Sequence, residues 1–200
     1  MKVVVIGASG TVGKAVVEEL GKRHTIVTMG TGSGQYRADI ADIAQVRAAF
    51  DQIGKIDAVV VAAGSLHFAP LADFTPEQFY VGLNSKLMGQ VNVALAARDY
   101  LNDGGSITLT SGIVAEQSIR NGASATMVNA AVEGFVRAAA IELPRGVRIN
   151  AVSPTVLEES MGSYGPFFIG FEPVAGKRVA LSFARSVDGA QTGQVYHAWS

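Results

Sequence analysis

The first thirteen residues of the chain narrow its possible folds more than any other segment. Val3 to Ile6 are all β-branched and show no polar alternation, which is typical of a strand covered on both faces. The glycine-rich stretch GASGTVG, residues 7–13, follows at once, and helical spacing begins at Thr11. A buried strand, a glycine-rich turn and a helix in this order predict the start of a βαβ unit.

Each glycine of this turn has its own physical reason. The chain must turn sharply at Gly7, a phosphate must approach the backbone near Gly10, and the helix must pack closely on the sheet at Gly13. The free N–H groups and the dipole of the new helix attract pyrophosphate. The alternative is a tight turn without a ligand. The predicted dinucleotide site includes Gly7, Ser9, Gly10, Thr11, Val12 and Gly13.

Short β-rich runs alternate with longer helical patterns along the whole chain, which predicts an α/β fold. The predicted strands are Val3 to Ile6, Thr25 to Met29, Asp57 to Ala62, Ser106 to Thr110 and Arg148 to Val152, with weaker candidates at Gln35 to Ala38 and Gln194 to His197. The predicted helices are Thr11 to Leu20, Ile43 to Ile53, Pro76 to Tyr100, Ala123 to Leu143 and Pro173 to Val187.

The connection between the second and third strands is too short for a helix, because only about six residues, Gly30 to Gln35, separate them. We therefore expect a Rossmann-type doubly wound parallel sheet from which one helix is missing. With 200 residues, the chain is long enough for one well-filled core and too short for two ordinary domains. The prediction is a single domain over residues 1–200.

Composition argues against several classes of partner. The formal net charge is −1 and no basic run exceeds two residues, so neither a nucleic acid nor an anionic membrane is expected as a partner. The chain has no cysteine, and its three histidines, His24, His67 and His197, are too scattered to predict a metal site. The first apolar run is too short for a signal peptide or a membrane span, so we expect a cytoplasmic protein.

Further motifs follow at the carboxyl ends of predicted strands, where doubly wound sheets bind ligands. The segments GASGTVG, ADI, AAG, NAAVEGFVRAAAIEL and RINAVSP, in this order, resemble the landmarks of the short-chain dehydrogenase/reductase family over nearly the whole chain. The resemblance implies that Asp39 and Ile40 contact adenine. It also implies that Ala62, Ala63 and Gly64 lie beside the adenosine ribose, and that Pro154 to Val156 meet the nicotinamide carboxamide.

Cofactor preference depends on the residues that follow the second strand. An acidic side chain there would bind the ribose 2′-hydroxyl of NAD and repel the 2′-phosphate of NADP. This chain has Gly30-Thr31-Gly32-Ser33-Gly34 instead, in which Thr31 and Ser33 can donate hydrogen bonds to a phosphate, and Arg37 adds positive charge nearby. We predict NADP(H) in preference to NAD(H). The alternative is that the glycine-rich connection merely replaces the missing helix.

The catalytic residues that the resemblance implies, a Ser, a Tyr-x-x-x-Lys and an Asn, are absent from their expected places. Alignment on Ala130-Ala131-Val132-Glu133-Gly134 puts Asn129 in place of the lysine and Ala125 in place of the tyrosine. Gly112 takes the place of the serine, and Lys86 takes that of the asparagine.

We predict a rearranged proton-donor set of Ser111, Lys86 and Asn129, in which Lys86 binds a ribose hydroxyl or lowers the pKa of a nearby hydroxyl. The alternative reading makes Lys86 a solvated residue, Asn129 a packing residue and Ser111 part of a local turn.

Other side chains are weaker candidates. His67 follows AAGSL and could overhang the site, although a surface role is equally compatible with its position. Glu158 and Glu159 could face a substrate cavity, but adjacent acids are usually solvated. The aromatic segment 164–171, which includes Tyr164, could form an apolar lid or pack as a buried loop.

These observations predict an oxidoreductase that moves hydride between a nicotinamide cofactor and a small-molecule carbonyl or alcohol. The alternative function is a non-catalytic NADP(H)-binding protein that reports redox state, because the usual phenol is missing. The helices Pro76 to Tyr100 and Ala123 to Leu143 carry many small residues. By the family resemblance, we expect these helices to form the interface of a homodimer or homotetramer.

Overall fold

The computed structural model describes all 200 residues and contains one seven-stranded parallel sheet with the strand order β3-β2-β1-β4-β5-β6-β7. The strands are β1 Lys2–Ile6, β2 Thr25–Gly30, β3 Tyr36–Arg37, β4 Ile56–Val61, β5 Leu101–Thr110, β6 Arg148–Pro154 and β7 Val195–Ala198. The α-helices are α1 Thr11–Gly21, α2 Ile43–Ile53, α3 Pro76–Gly82, α4 Gly89–Ala97, α5 Ala123–Ala139, α6 Met161–Tyr164 and α7 Gly176–Asp188. The predicted Rossmann-type α/β fold is confirmed. None of the helices combines the length and the apolar character that a membrane crossing requires.

The sheet has a hydrophobic core on each face. Val4 and Val59 belong to a cluster of 25 buried residues beneath α2, α4 and α5. Their neighbours Val3 and Val60 belong to a second cluster of 15 buried residues beneath α1 and α7. Successive residues of a strand point to opposite faces, so a strand covered on both faces must be apolar at every position. This explains the uninterrupted apolar runs of the sequence.

The helix between β2 and β3 is missing, as predicted. Thr28 and Gln35 hold the connection in place, because the Thr28 amide donates to the Gln35 side chain at 3.0 Å and the Gln35 amide donates to the Thr28 hydroxyl at 3.0 Å. β3 is only two residues long. The carboxyl end of the second strand is therefore bordered by a loop that presents backbone and hydroxyl groups.

The prediction of one regular helix from Pro76 to Tyr100 is wrong. A π-helical segment, Leu83–Met88, separates α3 from α4, and the helix ends at Ala97. The wider π turn leaves backbone carbonyls without their usual partners, and the fully buried Gln90 satisfies one of them by donating to the Lys86 carbonyl at 3.0 Å. The same amide group of Gln90 donates to the Thr110 carbonyl at 2.9 Å, and its oxygen accepts from the Thr110 amide at 2.8 Å. Gln90 therefore ties the π segment to the end of β5.

Candidate active site

The turn between β1 and α1 requires its glycines. Gly7 has φ +81°, and a Cβ atom there would overlap the carbonyl oxygen of Ala62. A Cβ atom on Gly13 would overlap the carbonyl of Gly7, whereas Gly10 has only that carbonyl nearby, at 3.4 Å. The N-terminus of α1 receives no side-chain cap, so its first N–H groups stay available to an anion. This open, cradle-shaped turn fits the pyrophosphate of a dinucleotide.

A cavity of about 360 Å³ lies on one side of this turn. The predicted residues Gly7, Ser9, Thr31, Ser33, Ile40 and Ala63 line it, and no ionisable side chain does. The Ser33 hydroxyl donates to the Ser9 hydroxyl at 2.8 Å, which joins the β2–β3 connection to the glycine turn. The position of this cavity beside β1 and β2 fits the adenosine half of the dinucleotide.

The two charged residues that the sequence places near this cavity, Arg37 and Asp39, do not line it. Asp39 is exposed, and its carboxylate accepts a hydrogen bond from the amide of Ala41 at 3.0 Å in a local turn. Arg37 is exposed as well. The structure thus brings hydroxyl groups, and no charge of either sign, to the wall of the cavity.

A second cavity, of about 420 Å³, lies on the other side of the turn. It brings together predicted residues from α1, the π segment, α5 and the ends of β4, β5 and β6. The predicted contacts Gly10, Thr11, Gly13 and Ala62 line neither cavity. Its predicted lining residues are Val12, Gly64, Lys86, Ser111, Asn129, Pro154 and Val156. No group of His, Asp or Glu side chains in the chain is arranged to hold a metal ion.

Lys86 supplies the cation of this cavity. Its side chain is half-buried, and Nζ donates to the backbone carbonyl of Ser111 at 3.2 Å. The chain at Gly64 passes so close that a Cβ atom there would lie 2.7 Å from the Cα of Lys86, which fixes the base of the side chain. Removal from water lowers the pKa of Lys86 to about 8, since burial disfavours the charged form. One hydrogen bond leaves the ammonium with donor capacity for a ligand.

Ser111 is only 2% exposed, and its hydroxyl is already engaged. Oγ donates to Oε1 of Glu133 at 2.8 Å, and Glu133 is only 4% exposed. Burial raises the pKa of the Glu133 carboxyl, and the hydrogen bond from Ser111 opposes that rise. Sequence reasoning missed Glu133, although it stands one helical turn after Asn129 and so shares its face of α5.

Asn129 is buried on α5. Its Nδ2 donates to the carbonyl of Ala125 at 2.8 Å, while its Oδ1 has no hydrogen-bond partner. Ala125 is itself fully buried at the place where the family pattern would have a tyrosine. Helix α5 therefore brings no phenol to this cavity.

Aromatic rings form the outer wall of the second cavity. Phe68, Tyr164 and Phe168 line it, and the rings of Phe68 and Tyr164 meet edge-to-face with centroids 6.0 Å apart. His67 is not among the lining residues and packs edge-on against Phe74 at 5.6 Å. The segment 164–171 thus contributes a wall through two of its aromatic residues.

The two neighbouring glutamates do not line the cavity. The carboxylate of Glu159 accepts hydrogen bonds from the amide of Gly176 at 2.9 and 3.1 Å, and it therefore caps the N-terminus of α7. Glu158 is exposed. Glu159 therefore has a structural role at this end of α7. The ionisable side chains of the cavity wall are those of Lys86 and Tyr164.

Comparison with known proteins agrees with this geometry. A family model described as enoyl-(acyl carrier protein) reductase matches residues 2–196. Versicolorin reductase 1 of Dothistroma septosporum is 31% identical over 186 residues, covering 80% of this chain and 71% of the relative. Tetrahydroxynaphthalene reductase PfmaG of Pestalotiopsis fici is also 31% identical, covering 80% of this chain and 67% of the relative.

Two solved structures are similar over almost their whole length. The protein lin1944 of Listeria innocua is 52% identical, with a TM-score of 0.97 and 98% of both chains covered. A small-chain dehydrogenase in complex with NADPH is 25% identical, with a TM-score of 0.87, and covers 98% of this chain and 95% of that chain.

Proposed function

Because the chain belongs to the short-chain dehydrogenase/reductase family, we propose that it is an NADP(H)-preferring reductase of an apolar carbonyl compound. The observation that carries this proposal is the cavity of about 420 Å³, in which Lys86 lies among the predicted nicotinamide contacts Pro154 and Val156. A cation beside a site for hydride transfer favours the development of negative charge on a carbonyl oxygen.

The preference for NADP(H) is supported by the absence of charged side chains from the wall of the cavity of about 360 Å³ beside β1 and β2, the proposed adenosine site. Ser9, Thr31 and Ser33 bring hydroxyl donors to its wall without a carboxylate that would repel a 2′-phosphate. Since no Lys or Arg lines this cavity, we expect a moderate preference of about tenfold, which corresponds to about 1.4 kcal/mol.

Three side chains divide the catalytic work in this proposal. A bound nicotinamide supplies the hydride. The Lys86 ammonium holds the carbonyl oxygen and stabilises the charge that develops on it, while Ser111 gives the proton. Asn129 steadies the wall through its bond to the carbonyl of Ala125. This assignment keeps the three residues predicted from sequence and gives each a separate task.

The cavity also indicates the kind of substrate. Lys86 is its only basic side chain, no carboxylate lines it, and Phe68, Tyr164 and Phe168 give it an aromatic wall. Flat apolar compounds stack well on such walls. The names of two relatives, a versicolorin reductase and a tetrahydroxynaphthalene reductase, support an aromatic substrate as well. We therefore propose a neutral, planar carbonyl compound as substrate.

The first test is titration with NADPH, NADP⁺, NADH and NAD⁺, following the fluorescence of the reduced nicotinamide and using competition for the oxidised forms. We expect NADPH to bind about tenfold more tightly than NADH. A panel of aromatic and aliphatic ketones then tests turnover, with Lys86→Met as the inactive variant and Lys177→Met as the matched exposed control. Failure of all four nucleotides to bind would overturn the proposal.

The missing phenol on α5 keeps a second function open: a non-catalytic protein that binds NADP(H) and reports its redox state. In that case NADPH and NADP⁺ would bind, no carbonyl compound would be reduced, and the two nucleotides would differ in their effect on association with another protein. Turnover that depends on Lys86 and Ser111 would exclude this second function.

We also propose that the protein is a homodimer or homotetramer. Val81, Met88 and Leu95, along α3 to α4, and Met127 of α5 expose between 37% and 44% of their surface. An apolar stripe of this kind favours association of copies of one chain. Sedimentation equilibrium should give a dimer or tetramer, and a monomer at micromolar concentration would refute the proposal.

A further inference from the structure

Glu133 is a buried residue behind the wall of the second cavity, and none of the catalytic roles proposed above uses its carboxyl group. Glu133 projects from α5 beneath Ser111 and accepts the hydrogen bond from its hydroxyl at 2.8 Å. Holding Ser111 in place does not require an acid, since a glutamine could accept the same bond without the cost of burying a charge. A buried carboxyl in direct contact with a residue of the cavity is therefore a candidate for proton transfer.

Three charged or titratable side chains influence the Glu133 carboxyl, and all three are exposed. Nη1 of Arg137, one turn later on α5, lies 3.9 Å from Oε2 of Glu133 and is exposed. Glu116, after β5, and His197, on β7, also act electrostatically on the carboxyl. These two form a half-exposed pair, with Nε2 of His197 3.1 Å from Oε1 of Glu116. Glu133 thus contacts the cavity residue Ser111 through one carboxyl oxygen, while its other oxygen lies 3.9 Å from the exposed Arg137.

The protonation state of Glu133 decides which way the Ser111 hydroxyl can donate. A serine hydroxyl has one hydrogen to give and can accept two. When Glu133 is ionised, that hydrogen is held by the carboxylate. When Glu133 is protonated, its own O–H can donate to Oγ, and the serine hydrogen becomes free for an acceptor in the cavity.

Building on the proposed function, we propose that Glu133 is a positioning residue that stores the proton for carbonyl reduction and passes it to the substrate through Ser111. A bound reduced nicotinamide would supply the hydride for the new C–H bond, and the electrons of the C=O π bond would move to oxygen. Ser111 Oγ–H protonates that oxygen, and the Glu133 proton moves to Oγ. The balance would be the alcohol, the oxidised nicotinamide and an ionised Glu133, which takes up one proton from solvent.

This relay predicts opposite pH profiles for the two directions of the reaction. Reduction needs protonated Glu133, so its rate should fall tenfold per pH unit above the pKa of that carboxyl, which burial raises. Oxidation of the alcohol needs ionised Glu133, so its rate should rise through the same pH range. Loss of the Lys86 ammonium above its pKa of about 8 also slows reduction, so the relay accounts only for the part of this pH dependence that Glu133→Gln removes.

The test compares Glu133→Gln and Ser111→Ala, with Glu142→Gln, an exposed acid just beyond α5, as the matched control. We expect kcat for reduction to fall about 100-fold in Glu133→Gln with loss of the pH dependence that Glu133 contributes, while the fall above the pKa of Lys86 remains and the dissociation constant for NADPH stays unchanged. Because the two residues act as one unit, the double variant should be no slower than the slower single variant.

Thermal unfolding without nucleotide gives a second readout. The raised pKa of Glu133 means that the folded protein is more stable with this carboxyl protonated, and that this contribution is lost as pH rises through that pKa. The unfolding temperature of Glu133→Gln should therefore exceed that of the wild type at neutral pH and converge with it in acid. Wild-type kcat and pH profile in Glu133→Gln would overturn the relay alone, whereas absence of turnover in the wild type would overturn the proposed function and the relay together.

Discussion

Replacement of Lys86 by methionine should make the nucleotide-free protein more stable at neutral pH. The same replacement should abolish turnover. Burial lowers the pKa of Lys86 from 10.5 to about 8, and at about 1.4 kcal/mol per pH unit this puts the cost of burying the ammonium at about 3 kcal/mol. Methionine fills a similar volume without that cost. The Ser111 carbonyl loses its donor, which subtracts about 1 kcal/mol. The expected net gain is about 2 kcal/mol at pH 7.

The gain should depend on pH in a defined sense. Above pH 10.5 lysine is neutral in both the folded and the unfolded state, so its burial costs nothing. As pH falls, the unfolded chain takes up the proton first, and the cost reaches its full value only below the folded pKa of about 8. The electrostatic part of the gain in Lys86→Met should therefore shrink to less than about 1 kcal/mol at pH 10.

Urea unfolding followed by circular dichroism at pH 7 and pH 10 measures this difference, because the other groups that titrate are common to both proteins. Lys177→Met, on the exposed side of α7, is the control and should change stability by less than about 0.5 kcal/mol. A loss of stability in Lys86→Met at pH 7, or a gain that is equal at pH 7 and pH 10, would refute the burial argument.

Three further substitutions test the rest of the site. Gly13→Ala places a Cβ on a backbone carbonyl, so it should cost about 1–3 kcal/mol in urea unfolding and abolish NADPH binding, whereas Gly162→Ala, which has open space, should leave binding unchanged. Thr31→Asp adds a carboxylate to a neutral cavity wall and should weaken NADPH binding at least about tenfold relative to NADH, measured by fluorescence titration. Gln90→Leu leaves the amide and carbonyl of Thr110 unpaired and should lower the free energy of unfolding by about 3 kcal/mol.

The fold was predictable because its determinants are local. Strands covered on both faces need apolar residues at every position, and this pattern is visible in Val3 to Ile6 without knowledge of the partner strands. The glycines at Gly7 and Gly13 were predictable for a similar reason, since the backbone itself occupies the space of a side chain. The short connection after β2 followed from residue counting alone.

The parts that sequence did not predict depend on contacts between distant segments. Residues 83–88 have ordinary helical spacing, which does not predict the π turn, and the bonds between Gln90 and Thr110 that tie this segment to β5 join residues 20 positions apart. The burial of Glu133 could not be predicted from its position on α5, because helical spacing gives the direction of a side chain but not the residues that cover it. The hydrogen bond from the Gly176 amide to Glu159 likewise joins residues 17 positions apart, so the sequence did not predict it.

Trp199, the one tryptophan of the chain, gives the protein an intrinsic optical probe. Its indole stacks on the ring of His197, with centroids 4.1 Å apart, and donates to the Ser153 hydroxyl at 3.4 Å. It also packs against the small hydrophobic cluster of Ile113, Val114 and Ala125, as do Phe68 and Phe168 of the cavity wall. Emission from this single indole should change in wavelength when a ligand reorders the aromatic wall. Occupancy of the cavity can thus be followed in the protein's own fluorescence without an added label.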